Sequence, residues 1–205
     1  MVRKFSLLFV LFSIFAFSQK YSKQEISRIT AGNIDSALPI FQTSDYLQHR
    51  VLLDQSIDVN PKDQYTKILV NRMKLALIST GSGVGIAAPQ VGINRNIIWA
   101  KRFDKEGKPL GYFINPKIIW HSEVLNFGPE GHLSIEVFRD YFYRSLVIQL
   151  EYFDLKGKKH TEILEGFMAV ILQHEIDHLS GILITDKIEN QKLKTFEKVE
   201  LYKEL

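Results

Sequence analysis

The sequence predicts a single domain of the α+β class. Three observations lead to this class: a helical pattern of apolar residues that begins after Pro61, a series of short strand-like segments between residues 97 and 164, and a second helical pattern over residues 167–179. The strand-like segments follow one another without intervening helices, whereas α/β folds alternate strands and helices. A chain of 205 residues is long enough for one domain of ordinary size.

The first helix is predicted from apolar residues spaced three and four positions apart after Asp63. These residues are Tyr65, Ile68, Leu69, Met73, Ala76 and Leu77. Such spacing places them on one face of a helix. Asp63 is a suitable start signal and Gly81 a suitable stop. Before this helix, we expect residues 37–41 to form an extended arm that lies on the domain.

Five short segments rich in large apolar residues are expected to form strands. They are residues 97–100, 112–115, 118–120, 146–153 and 161–164. Turn-forming residues at 104–109 and 154–157 connect neighbouring segments as hairpins. We expect Trp99 and Trp120, which lie on these strands, to be in the core.

Two more helices complete the prediction. The helix over residues 167–179 is apolar on most sides, so we expect it to be central, with short mixed or antiparallel strands around it. An amphipathic stretch at residues 189–205 predicts a C-terminal helix, because its apolar residues are separated by many lysines and glutamates.

Composition and charge exclude several classes of protein. The chain is 45% hydrophobic and 24% charged, which is ordinary for a globular protein and argues against disordered and fibrous classes. It has no cysteine, which excludes disulfides, thiol nucleophiles and cysteine-based zinc clusters. The formal net charge of +3 is too small to favour nucleic acid, so we expect no nucleic-acid partner.

Residues 1–18 are predicted to be a secretory signal peptide. Arg3 and Lys4 precede a thirteen-residue apolar run over residues 5–17, and Ala16 and Ser18 supply the small residues of a cleavage site before Gln19. The run is shorter than the roughly 20 residues that span a bilayer. We therefore expect export to the periplasm or the medium and no stable membrane insertion after cleavage. The alternative is a membrane anchor formed by residues 5–17.

A His-Glu-x-x-His segment lies on the central helix. His174 and His178 are four residues apart, so both imidazoles project from one face and can bind a single metal ion. Glu175 is placed to exchange a proton with a water molecule at the metal. Asp177 is a candidate partner for the free N–H of a ligand. Two histidines leave the coordination incomplete, so a third ligand must come from elsewhere.

Two further segments combine with this motif. Residues 81–92 read GSGVGIAAPQVG, a run of small residues that lets another backbone approach and could accept an extended peptide at a strand edge. Residues 130–134 read EGHLS. Taken with residues 173–179, they resemble the peptide deformylase family, which carries Gly-x-Gly-x-Ala-Ala-x-Gln, Glu-Gly-Cys-x-Ser and Gln-His-Glu-x-Asp-His-Leu in this order.

The resemblance covers residues 37–188 and implies a peptide-deformylase-like fold for a domain over residues 19–205. It implies one divalent metal ion and the removal of the formyl group from N-formyl-methionyl peptides. Glu175 would be the general base and acid, and Gln90 and the Leu133 backbone N–H would hold the oxyanion. The substrate would contact Gly83, Gly85, Ile86, Glu130, Gly131, Arg139, Val170 and Ile171.

The sequence departs from the family at the third metal ligand, where His132 replaces a cysteine. The resemblance implies Fe²⁺, whereas three histidines are also a familiar set for Zn²⁺. We hypothesise that export and the loss of an oxidisable ligand are linked. A decayed site is the alternative interpretation. Glu136 stands where the family usually has proline, which changes the loop that carries His132.

Three functions are compatible with the sequence. The first is deformylation of N-formylated peptides by a monomer. The second is an exported metal-dependent amidase or peptidase that acts on another acyl amide, and the third is a non-catalytic protein that binds a metal or a peptide. Export counts against the first, because formyl groups are normally removed in the cytoplasm.

Overall fold

The structure is a computed structural model that describes residues 20–136 and 138–192. In chain order its elements are α1 (Lys23–Thr30), α2 (Tyr46–Leu52), α3 (Gln64–Ser79), β1 (Gly85–Ala87), a short 3₁₀ turn (Ala88–Val91), β2 (Ile97–Lys101), β3 (Leu110–His121), β4 (Leu125–Gly131), β5 (Arg139–Ser145), β6 (Val147–Phe153), β7 (Lys159–Glu165), α4 (Gly166–Leu179) and α5 (Ile184–Lys192). The predicted α+β class is confirmed.

The strands form two antiparallel sheets. Five strands make the larger sheet in the order β1-β2-β3-β6-β7, and β4 pairs with β5 in a separate two-stranded sheet. Hairpins join β2 to β3 and β6 to β7, as the turn residues at 104–109 and 154–157 predict. The prediction divided β3 into two strands, whereas the structure has one. The division falls at Asn115, which has φ 50°, and Pro116, where the regular pairing of β3 with β6 is interrupted.

The larger sheet is buried on both faces at its β1–β2 end. On β1 and β2, Ile86 and Trp99 pack towards α3, whereas Ala87 and Ile98 pack towards α4. The alternation follows from the strand itself, because successive side chains point to opposite sides of a sheet. The short strand β1 is therefore held between two helices, with its edge beside α4.

Several elements differ from the prediction. The prediction did not include α1, α2, β4 or β5, and for β1 it included only a possible strand edge within residues 81–92. The C-terminal helix begins at Ile184 instead of residue 189, and residues 193–205 lie outside the described residues. Trp99 is buried, but the prediction for Trp120 was wrong: it is 53% exposed near the end of β3, beyond the part of the sheet that the helices cover.

Within the described residues, every helix is too short or too polar to cross a bilayer. The predicted signal peptide at residues 1–18 and its apolar run lie outside the described residues. The predicted leader and its cleavage before Gln19 therefore stay predictions.

Helix α1 is attached to the domain by a buried arginine of α3. The Arg72 guanidinium donates hydrogen bonds to the carbonyl oxygens of Ile29, Ala31 and Ser36 at 2.8–3.0 Å. These carbonyls lie at and after the C-terminal end of α1, where a helix leaves such groups without internal partners. One side chain therefore satisfies the end of α1 and holds the following chain against α3.

Replacing Arg72 with methionine should lower the free energy of unfolding by about 2–4 kcal/mol, because the side chain that satisfies three carbonyls is lost. Lys67→Met, at an exposed position of the same helix, is the matched control. Urea unfolding followed by circular dichroism measures both. Equal stability of the two variants would contradict this assignment of Arg72.

Candidate metal centre and active site

Three histidine rings meet beside β1, an edge strand of the larger sheet. His174 and His178 lie one turn apart on α4, with ring centroids 5.0 Å apart. His132 follows β4 directly, and its ring centroid lies 4.5 Å from that of His178 and 5.6 Å from that of His174. One ring nitrogen from each residue lies within 4.8 Å of the others. The structure therefore brings together the three metal ligands that the sequence suggests.

The unpartnered ring nitrogens of this cluster fit a divalent metal ion. Nε2 of His132 and both ring nitrogens of His178 are buried and find no hydrogen-bond partner among the described residues. Burial, assisted by the charge of His174, lowers the pKa of His132 to about 3 and that of His178 far below its usual value. These rings are therefore neutral, and a neutral imidazole is the form that binds a metal.

Glu130 sets the orientation of the first ring. His174 Nδ1 lies 2.8 Å from Glu130 Oε2, so it donates its proton there and leaves Nε2 for a metal. Burial alone would raise the pKa of Glu130, but hydrogen bonds from His174 and Arg144 lower it to about 2. Glu130 is expected from the resemblance to contact substrate. Glu130 does line the cavity wall. Both of its carboxylate oxygens, however, already accept hydrogen bonds from His174 or Arg144.

Arg144 connects this carboxylate to the metal-binding helix. From β5 its guanidinium donates two hydrogen bonds to Glu130, at 2.7 and 2.8 Å, and a third to Asp177 on α4. Lys187 of α5 also pairs with Asp177, at 3.1 Å. The expectation that Asp177 accepts from a metal ligand was wrong, because Glu130 takes that role and Asp177 bonds to cations instead.

The third ring is held through its other nitrogen. The Ser134 backbone N–H donates to His132 Nδ1 at 2.9 Å, which places the proton of the neutral ring on Nε2. A ring that binds a metal through Nε2 carries its proton on Nδ1 instead. Metal binding by His132 therefore requires the ring to exchange tautomer and the Ser134 N–H to release it.

Glu175 lies against the glycine-rich strand. Its side chain is 4% exposed, and burial raises the pKa of its carboxyl group to about 7. A Cβ atom at Gly85 would lie 2.3 Å from Glu175 Oε1, so only glycine leaves room for the carboxylate at this point of β1. Gly85 is expected from the resemblance to bind substrate, and the structure shows this additional steric reason for glycine.

The residues suggested by the sequence surround a cavity of about 470 Å³. Its wall includes Gly83, Gly85, Gln90, Glu130, Gly131, His132, Leu133, Arg139, Val170, Ile171, His174 and Glu175. Ile86 is a correction: its side chain is fully buried in the core on the α3 side and is not part of the wall. His178 lies behind the wall at the metal cluster.

Sequence reasoning missed part of the cavity wall. Ser82, Val84, Pro129 and Phe167 also line it, and Phe167 packs edge-on against Phe103 with ring centroids 4.8 Å apart. Phe167 is the second residue of α4 and lies one turn before Val170 and Ile171, so helical spacing could have placed it on the same side. Ser82 and Val84 lie within the glycine-rich segment 81–92, and Pro129 precedes Glu130, but none of the three has a chemical signature of its own.

Comparisons with known proteins agree with this geometry. Residues 40–194 match the family model described as polypeptide deformylase. The chain is 37% identical to a peptide deformylase of Thermosynechococcus vestitus over 72% of this chain and 79% of that protein, and 35% identical to one of Maricaulis maris over 72% and 89%.

Solved structures give the same result. The peptide deformylase of Thermotoga maritima superposes with a TM-score of 0.66 at 32% identity, over 73% of this chain and 96% of that one. A class I type b peptide deformylase of Acinetobacter baumannii gives 0.67 at 29% identity, over 74% and 99%.

The raised pKa of Glu175 predicts a pH-dependent loss of stability in protein freed of metal by a chelator. A carboxyl whose pKa rises on folding stabilises the fold only while it is protonated, so its contribution disappears between its unfolded pKa near 4.5 and about 7. Glu175→Gln should therefore gain about 3 kcal/mol over the wild type as the pH rises from 4 to 8. The difference between the two proteins removes the contribution of the histidines. A difference in unfolding free energy that does not change with pH would contradict this prediction.

Proposed function

Because this chain belongs to the peptide deformylase family, we propose that its metal centre is built from His132, His174 and His178. The chain is a metal-dependent hydrolase that removes the formyl group from N-formyl-methionyl peptides. The observation that carries the proposed centre is the set of buried, neutral ring nitrogens that face one another beside the Glu175 carboxylate. A decayed site would not need to keep these groups together.

Glu175 is the proton carrier of the proposed mechanism. A divalent ion held by His132, His174 and His178 would supply Lewis-acid activation of water and of the formyl carbonyl. Glu175 accepts a proton from the attacking water and returns it to the nitrogen of the leaving amine, so that formate and a free amine are the products.

Two groups are proposed to stabilise the oxyanion that develops on the formyl oxygen. The Gln90 side chain is buried at the cavity wall, where its Oε1 accepts from the Ala87 N–H at 2.9 Å and its amide nitrogen lies 3.3 Å from Ser134 Oγ. This arrangement fixes the amide, so that its nitrogen is the donating end. The backbone N–H of Leu133 is the second donor. Fixed donors of this kind stabilise charge at little cost in reorganisation.

The cavity wall is suited to a peptide that begins with formyl-methionine. Val170 and Ile171 supply apolar surface one turn before the first metal ligand, and Phe167 extends it. Gly83 and Gly85 expose backbone at the wall, where an extended peptide could lie. Arg139, exposed at the rim, is proposed to contact the peptide further from the formyl group.

We propose Zn²⁺ as the resident ion, with Fe²⁺ as the alternative that the family implies. Three imidazoles and an open position form a common catalytic zinc site. The chain contains no cysteine, so it cannot supply the thiolate of the family pattern. Metal analysis of protein purified from its native compartment decides between the ions, and iron alone would contradict the zinc proposal.

Glu175→Gln should reduce formate release from a formyl-Met dipeptide by about 10²–10⁴-fold, because the proton carrier is lost. The variant should keep one metal ion per chain, since Glu175 is not a proposed ligand. Glu106→Gln, at an exposed turn, is the control and should retain full activity. If wild-type protein binds one ion yet releases no formate with zinc or iron, deformylation is wrong for this chain and other acyl amides become the substrates to test.

His132→Ala should weaken metal binding by at least about a hundredfold, which is more than the loss of an outer hydrogen-bond partner causes. His49→Ala, on α2 away from the cluster, should bind as the wild type does. Competition with a fluorescent chelator measures both affinities. Unchanged affinity in His132→Ala would show that His132 is not a ligand.

We further propose that residues 1–18 are removed on export and that residues 19–205 act as a monomer, because one chain supplies every residue of the site. When the full-length chain is expressed in bacteria, the mature product should begin at Gln19 and be found in the periplasm or the medium. N-terminal sequencing and size-exclusion chromatography measure these outcomes. Intact protein that stays in the membrane fraction would favour the anchor at residues 5–17.

A further inference from the structure

A short segment before α2 contacts both loops of the proposed oxyanion site. We call residues 41–43 the strap. The Phe41 N–H donates to the Gln90 carbonyl oxygen at 2.8 Å, and the Thr43 N–H donates to the Ser134 carbonyl oxygen at 2.9 Å. Between them, the Gln42 side chain donates through Nε2 to the Leu133 carbonyl oxygen at 3.1 Å. The strap therefore joins the Gln90 turn to the loop that carries His132.

The strap is itself held from two sides. The Gln42 backbone N–H donates to Gln48 Oε1 on α2 at 2.8 Å. On the other side, the Arg28 guanidinium lies 4.2 Å above the Phe41 ring and donates to the Val91 carbonyl oxygen at 2.9 Å. Arg28 belongs to α1, which precedes the matched residues 40–194. The part of the chain outside the family match thus braces the strap.

We propose that Gln42 is a positioning residue for the oxyanion donor at Leu133. Its amide and the Thr43 N–H hold the carbonyl groups of Leu133 and Ser134, which are consecutive in the His132 loop. These two hydrogen bonds fix the backbone that directly follows the Leu133 N–H. Small displacements of a donor or a reacting group are costly in a preorganised site. The inference rests on the proposed function, because it assigns Leu133 its role in the deformylation reaction.

Two matched substitutions test the role of Gln42 in zinc-loaded protein. Gln42→Glu keeps the shape of the side chain but replaces the donating amide with a carboxylate, which repels the Leu133 carbonyl oxygen. Gln48→Glu adds the same charge six residues away and keeps an oxygen that accepts from the Gln42 N–H. The comparison therefore controls for an added charge beside the strap and for strap attachment.

Gln42→Glu should lower kcat for a formyl-Met dipeptide by about tenfold to a hundredfold with KM unchanged, because the misplaced donor matters most in the transition state. Gln48→Glu should retain wild-type kcat. A wild-type kcat in Gln42→Glu overturns the proposal, and so does an equal loss of kcat in both variants.

A second measurement does not depend on turnover. Backbone ¹⁵N order parameters at Leu133 and Ser134 should fall from about 0.85 to below about 0.6 in Gln42→Glu and stay high in Gln48→Glu. If wild-type protein releases no formate, the proposed function fails, and these order parameters still decide whether Gln42 holds the loop. A rigid loop in Gln42→Glu overturns the inference in either case.

Discussion

The ion pair between Glu130 and Arg144 ties the third histidine to the helix that carries the other two. Glu130 lies near the end of β4, two residues before His132, and Arg144 lies on the paired strand β5, in register with Asn126. Arg144 reaches Asp177 on α4, and Glu130 reaches His174 on the same helix. Two charged side chains thus dock the small sheet on the metal-binding helix. Breaking such a buried pair leaves an uncompensated charge, so both residues are constrained together.

The larger sheet meets this centre at the glycine of β1. Gly85 lets the Glu175 carboxylate lie against the strand, where burial raises the pKa of that carboxylate to about 7. The same packing makes His132 and His178 neutral. Burial therefore keeps these two rings neutral, which is the charge state that metal binding requires, and it raises the pKa of the carboxyl group that is proposed to exchange the proton.

The sequence predicted the chemistry of this centre better than its supports. Helical spacing was enough to pair His174 with His178, and the resemblance placed Gln90 and His132 at the same cavity. Helix α1 was missed although Ser22 and Glu25 form a capping box at its start. Strands β4 and β5, and with them the Glu130–Arg144 pair, were missed because Gly128 and Pro129 lie within β4 and weaken its strand pattern. Ile86 shows the opposite limit: the resemblance assigned it to the substrate, while strand alternation turns its side chain into the core.

Coordination by three imidazoles is the central claim, and X-ray absorption at the metal edge of the loaded, purified protein tests it directly. The expected spectrum shows three imidazole rings with metal–nitrogen distances of about 2.0–2.1 Å if zinc is bound. A spectrum that fits two imidazoles and only oxygen ligands besides would contradict the claim. It would mean that Ser134 keeps its hydrogen bond to His132 and that this ring does not bind the ion.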